Sequence, residues 1–188
     1  MKIRSKVTIG LLSSVMCVAA LAHAATGYKK TSGPKDGMTF KTKAIGGAMT
    51  IEGTGPRFEF AEEVKGKLVF TVNLFDLKTG MEGRDEHLQQ VLQVKKSKDF
   101  KYAKLEVPVG SVGLGTGKAG HGKFTINNKP AQLDFKYDAV KKGDKILVHA
   151  WFPVQLKKHG VEKICKLGVC VADTTDVDVN FALTPPGE

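Results

Sequence analysis

The feature that most constrains the fold of this chain is the recurrence of apolar residues at every second position. A β-strand points alternate side chains to opposite faces, so this period indicates strands with one buried face. The apolar positions are Phe58 and Phe60; Leu68, Phe70, Val72 and Leu74; Phe124 and Ile126; Leu133, Phe135 and Tyr137; Ile146, Val148, Ala150, Phe152 and Val154; Val171, Thr175, Val177, Val179, Phe181 and Leu183. Many such strands predict an all-β domain, either a sandwich or a closed antiparallel barrel.

One segment has helical periodicity instead. Leu88, Val91 and Leu92 are spaced i, i+3, i+4, which predicts one short helix near residues 84–92 that caps the sheet. Residues that favour turns should separate the strands. They are Gly46-Gly47, Gly53 to Pro56, Asn127-Asn128 and Lys142 to Asp144.

The N-terminus is typical of a secretory signal peptide. Basic residues precede an apolar run from Val7 to Leu21, and small residues at Ala22 and Ala24 follow it. The run has 15 residues, fewer than the roughly 20 that span a bilayer. We therefore expect cleavage after Ala24 and a periplasmic location.

The expected mature chain is one domain. Residues 25–36 are polar and rich in turn formers, so we expect a flexible leader there, followed by the domain at 37–184 and a tail at 185–188. Cleavage would remove three of the 29 basic residues and none of the 19 acidic ones, which leaves a net charge of +7. This charge favours transient contact with an anionic membrane surface, although lysines spread in pairs also suit a solvated surface. An exported protein is not expected to meet nucleic acid.

Cys165 and Cys170 are the two cysteines beyond the signal segment. In an oxidising compartment an even number of cysteines indicates a disulfide. The alternative, a metal site with His159, lacks a fourth ligand. We expect the disulfide and no metal.

The segment from Leu77 to Leu88 reads LKTGMEGRDEHL and resembles the TG…RDxHL signature of the YceI-like family, exported lipocalin-like barrels associated with polyisoprenoid binding. The resemblance covers roughly Met38 to Leu183. Lys101 and Tyr102 depart from the tyrosine-proline order of the family. Other matching segments are Ile51 to Gly53, Phe58 to Phe60, Phe100 to Ala103, Gly122 to Ile126 and Asn128 to Pro130.

The resemblance implies a lipocalin-like antiparallel barrel of about eight strands with an elongated apolar cavity. A barrel of this size either fills with side chains or holds one small ligand. The small residues Ala150, Gly120 and Gly122 favour a cavity. The residues expected to line it are Phe70, Val72, Leu74, Phe124, Ile126, Leu133, Phe135, Tyr137, Ile146, Val148, Phe152, Val177, Val179 and Phe181.

Arg84, Asp85 and His87 combine an acid with a histidine, but no nucleophile accompanies them. We interpret them first as structural, with Asp85 complementing the helix start and Arg84 tying the helix to a strand. A head-group contact at the barrel mouth is the second interpretation, and catalysis the third.

Two other features have a plain structural interpretation. The glycines from Gly113 to Lys118 superficially resemble a phosphate loop, but a strand rather than a helix is expected to follow, which favours a hairpin turn. Trp151 alternates with Phe152 and could either line the cavity or plug one end of the barrel.

These patterns lead to two hypotheses. The first is a non-enzymatic periplasmic binding protein that needs no cofactor and holds a lipid-like small molecule, a polyisoprenoid, quinone-like or fatty-acyl chain. The alternative is a filled barrel that acts as a protein-interaction or stress-response module through its surface or the Cys165–Cys170 loop.

Overall fold

A computed structural model describes residues 27–44, 49–57, 60–162, 165–166 and 169–185. The expected signal peptide, the Gly46-Gly47 turn and Phe58 lie outside these residues. Within them, no helix has both the length and the apolar character needed to cross a bilayer.

The described residues form mainly β-strands and one α-helix. The α-helix, α1, spans Glu82–Val91, and shorter 3₁₀ helices occur at Leu74–Asp76, Lys98–Phe100, Val109–Ser111 and Leu156–His159. The strands are β1 (Lys29–Thr31), β2 (Gly37–Ala44), β3 (Thr50–Gly55), β4 (Phe60–Val64), β5 (Lys67–Asn73), β6 (Tyr102–Pro108), β7 (Gly115–Ile126), β8 (Lys129–Lys142), β9 (Lys145–Gln155), β10 (Cys165–Lys166) and β11 (Val169–Thr184).

Pairing of these strands closes an antiparallel barrel. The order runs β4-β5-β6-β7-β8-β9-β11, and β1 pairs with both β11 and β4. β1 and β2 pair with successive parts of β11, so they are two segments of one strand path, and β3 and β4 together form the path beside it. With these two interrupted paths counted once each, the barrel has eight paths, which confirms the predicted fold.

The period of two accounts for the core. On β8, Leu133, Phe135 and Tyr137 are buried, while Asp134 and Lys136 between them are exposed. The members of the other predicted rows from Leu68 onward are buried or half-buried, because each pleat turns its apolar side chains inward. The side chains of Phe58 and Phe60 lie outside the described part of the chain. Leu74 is also buried, but it lies in a 3₁₀ helix directly after β5 rather than in the strand.

The prediction of a flexible leader is wrong for residues 29–31. Lys29–Thr31 form β1, in which Lys30 lies opposite Leu183 and Thr31 opposite Ala182. The Lys145 Nζ also donates a hydrogen bond to the Ser32 carbonyl oxygen (3.1 Å). A strand at this position needs backbone hydrogen bonds, which a polar sequence supplies as well as an apolar one.

The structure differs from the prediction at two pairs of glycines. Gly53 and Gly55 belong to β3 and not to a turn. The Phe40 ring and the Lys78 carbonyl lie so close to Gly53 that a side chain there would meet them. Gly120 and Gly122 do not open the cavity either. The Phe135 ring covers Gly120, and the Glu106 carbonyl lies against Gly122. These glycines admit neighbouring groups instead of leaving space.

The barrel has two dissimilar ends. At the hairpin end, the turns at 65–66, 109–114 and 143–144 lie beside the end of β11. At the helix end lie α1, the Asn127-Asn128 turn, the 3₁₀ helix at Leu156–His159 and the β10–β11 hairpin. α1 begins at Glu82, two residues before the predicted start, and otherwise the predicted helix is confirmed.

Candidate ligand-binding cavity

The barrel interior is hollow. The cavity has a volume of about 240 Å³, well above the about 15 Å³ that one water molecule needs. Side chains from β2, β5 to β9, β11 and α1 line it. No charged residue is among the described residues that line it, and the side chains with polar atoms are Tyr28, Thr42, Tyr137 and Thr175. Such a cavity suits an apolar chain and offers no counter-ion to a buried charge.

Thirteen of the fourteen predicted residues line this cavity. Leu133 is the exception, because its side chain is buried in the surrounding core without reaching the open space. Contact of these residues with a ligand stays a prediction. The lining residues are Phe70, Val72, Leu74, Phe124, Ile126, Phe135, Tyr137, Ile146, Val148, Phe152, Val177, Val179 and Phe181.

The sequence reasoning missed two groups of lining residues. The first lies on β2 and β6, where two rows alternate inward with a period of two that could have been recognised: Met38, Phe40 and Thr42, and Ala103, Leu105 and Val107. The second comes from the barrel ends, which strand periodicity does not cover, and comprises Leu77, Leu88, Leu92, Val112, Gly113, Leu114 and Leu156. Leu88 and Leu92 were predicted to pack on the sheet, but not to face the cavity.

The cavity opens at the hairpin end. Gly113 and Leu114 are the exposed members of the described lining, and Leu114 is 53% exposed. All other described lining residues are buried or half-buried. At the helix end, Leu74, Leu77 and Leu92 are buried beneath the 3₁₀ and α-helical turns. The loop that carries Leu114 is therefore the mouth of the cavity.

Tyr137 fixes the mouth loop from inside the barrel. Its hydroxyl accepts a hydrogen bond from the Gly113 amide (2.9 Å) and donates one to the Gly113 carbonyl oxygen (3.2 Å). Because the ring itself is 5% exposed and packs on Phe135, the hydroxyl is held in place at the mouth. The glycines thus form the β6–β7 connection and the start of β7, with no helix behind them as a phosphate loop requires.

Arg84, Asp85 and His87 of the signature lie at the closed end, and none of these three lines the cavity. The Asp85 carboxylate accepts hydrogen bonds from the Thr79 amide (2.6 Å) and the Thr79 hydroxyl (2.7 Å). The bond from the amide, assisted by the hydroxyl and by Lys78, lowers the pKa of Asp85 although burial opposes the shift. Asp85 therefore braces the loop that leads into α1.

The polar contacts of Arg84 and His87 differ from those of Asp85. Within the described residues, the Arg84 guanidinium has no hydrogen bond or ion pair, so its tie to a strand stays a prediction. The His87 Nε2 is buried without a hydrogen-bond partner. Because all three residues lie away from the mouth, the arrangement does not favour the head-group interpretation.

Cys165 and Cys170 lie opposite each other and form the expected disulfide. His159, the rival metal ligand, is buried, and its Nδ1 donates a hydrogen bond to the Lys129 carbonyl oxygen (2.9 Å). Burial lowers the pKa of His159. The described residues contain no group of histidine, cysteine and carboxylate side chains that could hold a metal ion.

Trp151 lies on the outside of the barrel, so neither interpretation of it holds. Its ring is 4.9 Å from that of His149, and neither residue lines the cavity. The His149 Nε2 is 2.7 Å from an Asp178 carboxylate oxygen on β11. These outward side chains form a polar surface cluster across β9 and β11.

Solved structures support the fold. A polyisoprenoid-binding domain from Saccharophagus degradans superposes with a TM-score of 0.66 at 13% identity, covering 85% of this chain and 98% of that one. BcnA from Burkholderia cenocepacia gives a TM-score of 0.60 at 13% identity, covering 77% and 95%. At these identities the likeness shows the fold alone. A comparison with curated protein sequences finds no significant match.

The sequence itself decides the family. The profile of the YceI-like domain matches residues 23–183, which spans nearly the whole chain. It covers the TG…RDxHL segment and every strand from β1 to β10. The chain belongs to the YceI-like family.

Proposed function

We propose that this protein is an exported periplasmic carrier that holds one apolar chain, a polyisoprenoid, a quinone-like tail or a fatty-acyl chain, inside its barrel. The observation that carries the proposal is a hollow interior with no charged residue among its described lining and a mouth at one end. Membership in a family with a polyisoprenoid-binding structural neighbour supports the chemical class. The N-terminal sequence supports export.

Burial of the chain supplies enough free energy without a special polar site. Each methylene moved from water to an apolar cavity contributes about 0.8 kcal/mol, so a chain of about 20 carbons would gain roughly 16 kcal/mol if fully buried. Lost freedom of motion and incomplete burial offset much of this gain. Micromolar to nanomolar affinity remains after these costs, as a carrier requires.

A binding role fits the chemistry of the cavity better than an enzymatic one. General acid–base catalysis needs a titratable group within hydrogen-bond reach of the reacting atom. Apart from Tyr137, whose hydroxyl is bonded to Gly113, and Tyr28, no titratable side chain belongs to the described lining. Asp85 and His87, the acid and histidine of the signature, lie outside it.

Native mass spectrometry with organic extraction tests this function. The mature protein, purified from an exporting host, should carry a chain molecule of the proposed class. Ala150 lines the cavity, so Ala150→Phe should fill the space and lose the ligand. Leu147→Phe is the matched control, because Leu147 points outward from the same strand and is absent from the lining.

The two variants keep the test interpretable. Both add a ring to β9, and because only the inward ring can overpack the interior, a cooperative thermal unfolding transition is required of each variant before its ligand content is compared. Retention of the ligand by Ala150→Phe would overturn the cavity as the binding site. A wild-type protein that carries no ligand and binds no added polyisoprenoid at micromolar concentration would overturn the function.

A further inference from the structure

The hairpin end combines the mouth of the cavity with a set of unpaired positive charges. Three turns and β1 bring these lysines together, and we name them the lysine rim: Lys29, Lys65, Lys141, Lys142 and Lys145. All but Lys145 are exposed, and the Lys145 Nζ contacts a carbonyl oxygen, that of Ser32. None of the five forms an ion pair with an acid of the described residues.

Acidic groups at this end are few. Asp144 is the one acid of the three turns at 65–66, 109–114 and 143–144. The five rim lysines therefore outnumber the acids of these turns. Some lysines elsewhere have close acidic partners, as in Lys41–Glu52 (2.9 Å) and Lys157–Asp173 (2.6 Å).

Apolar side chains project among the rim lysines. Leu114 is 53% exposed at the mouth, and Val140 is 49% exposed next to Lys141. Val64 is 40% exposed next to Lys65. Cations interspersed with exposed apolar groups match a bilayer surface, where the cations meet phosphates and the apolar groups reach the acyl boundary.

The helix end also exposes apolar side chains and lysines, among them Lys43, Lys98 and Lys158, but acidic residues directly follow its exposed apolar side chains. Phe75 is 38% exposed and is followed by Asp76, while Met81 is 53% exposed and is followed by Glu82. An anionic bilayer would repel these carboxylates. Both ends carry exposed lysines, so the position of the mouth at Leu114, together with the rim lysines around it, selects the hairpin end.

We infer that the hairpin end is a docking face for a bilayer rich in anionic phospholipid, with the lysine rim on the head groups and the mouth at Leu114 against the membrane. The inference rests on the proposed carrier function, because docking in this orientation would let an apolar chain pass between bilayer and cavity without crossing water. Each lysine close to an anionic surface strengthens binding by roughly fivefold at low ionic strength. Salt weakens the attraction.

Sedimentation of the mature protein with vesicles tests the docking face. The probes are vesicles of phosphatidylcholine alone and of phosphatidylcholine with phosphatidylglycerol. The wild type should bind the second kind and not the first. A triple rim variant, Lys65→Gln, Lys141→Gln and Lys142→Gln, should bind the anionic vesicles on the order of a hundredfold more weakly.

The matched control removes the same charge from the helix end. Lys43, Lys98 and Lys158 are exposed, and Lys43→Gln, Lys98→Gln, Lys158→Gln should retain binding within a few fold. Equal loss in both variants would overturn the docking face, since net charge alone would then drive binding. Absence of wild-type binding to anionic vesicles would overturn it as well, and so would competition by millimolar inorganic phosphate, which would indicate a soluble-phosphate site.

Failure of docking is distinguishable from failure of the carrier function. The rim lysines do not line the cavity, so the triple rim variant should still show any copurified chain by native mass spectrometry. Loss of vesicle binding with the ligand retained is the result expected. Loss of both would place the lysines in the ligand site and overturn their assignment as a membrane contact.

Discussion

At the helix end, Leu92 lines the cavity and is 4% exposed, whereas at the hairpin end Leu114 lines the same cavity and is 53% exposed. The first side chain lies under helical turns braced by Asp85 and Thr79. The second lies on a loop in which Gly113 is bonded to the Tyr137 hydroxyl and the Val109 amide donates a hydrogen bond to the Gly66 carbonyl oxygen. The same residue type thus contributes to packing at one end and to access at the other.

This difference suggests how one barrel can be both stable and open. An apolar cavity removes packing from the centre of a small domain, so the packing at a closed end has to compensate. Concentrating the hydrogen bonds and buried leucines at the helix end leaves the hairpin end free to expose apolar groups. The family signature lies at the closed end, which explains how it can be structural in a binding protein.

The largest expected difference between the ends comes from shortening a leucine at each. Leu92→Ala should lower the free energy of unfolding by about 2–5 kcal/mol, because it leaves a void in packed surroundings. Leu114→Ala should change it by no more than about 0.5 kcal/mol, since its side chain is already half in water. Urea unfolding measures both, and equal losses would refute the division between a packed end and an open one.

Asp85→Asn should give the next largest decrease in the free energy of unfolding. The carboxylate receives two short hydrogen bonds from Thr79, and replacing bonds to a charged group costs about 1.5–3 kcal/mol. Glu86→Gln is the control, because Glu86 is the exposed neighbour on α1. Thermal unfolding should show a lower midpoint for the first variant alone. A similar shift in both would mean that helix charge, and not the Thr79 contact, matters.

Tyr137→Phe tests whether the mouth loop controls access to the cavity. It removes both hydrogen bonds to Gly113 and should cost about 1 kcal/mol in stability. Its main effect should be faster exchange of a bound fluorescent polyene fatty acid, measured by stopped-flow displacement. Tyr102→Phe, remote from the mouth loop, should leave the exchange rate unchanged. Unaltered exchange in Tyr137→Phe would show that the loop does not control access.

Mild acid should have the smallest effect on the free energy of unfolding. It should act through His159 at the helix end. Burial lowers the pKa of His159 in the folded state, so the unfolded chain binds a proton more readily. His159 therefore contributes stability that is present above its unfolded pKa of about 6.5 and is lost as the pH falls through its lower folded pKa. Comparing urea midpoints at about pH 7.5 and about pH 5.5 measures this loss. His159→Gln should show a smaller difference, and an equal difference would assign the loss to other groups.

Period-two alternation predicted the strands and most of the cavity lining because pleating alone determines which side chains point inward. Alternation could not predict the features that form only when the barrel closes. β1 is polar and exists because β11 and β4 offer it backbone partners. Gly120 accommodates the Phe135 ring, a contact that follows only from the register of β7 with β8. Leu77 and Leu114 line the cavity from connecting segments, where no periodicity indicates direction.

Binding of an apolar chain inside the barrel is tested most directly by photocrosslinking with a polyisoprenoid alcohol that carries a diazirine at the far end of its tail, followed by peptide mapping. If the tail enters first through the mouth, it should crosslink near the closed end, to Leu92, Phe124 or Leu156. Crosslinks confined to outward residues such as Trp151, or a tail found beside Leu114, would contradict it.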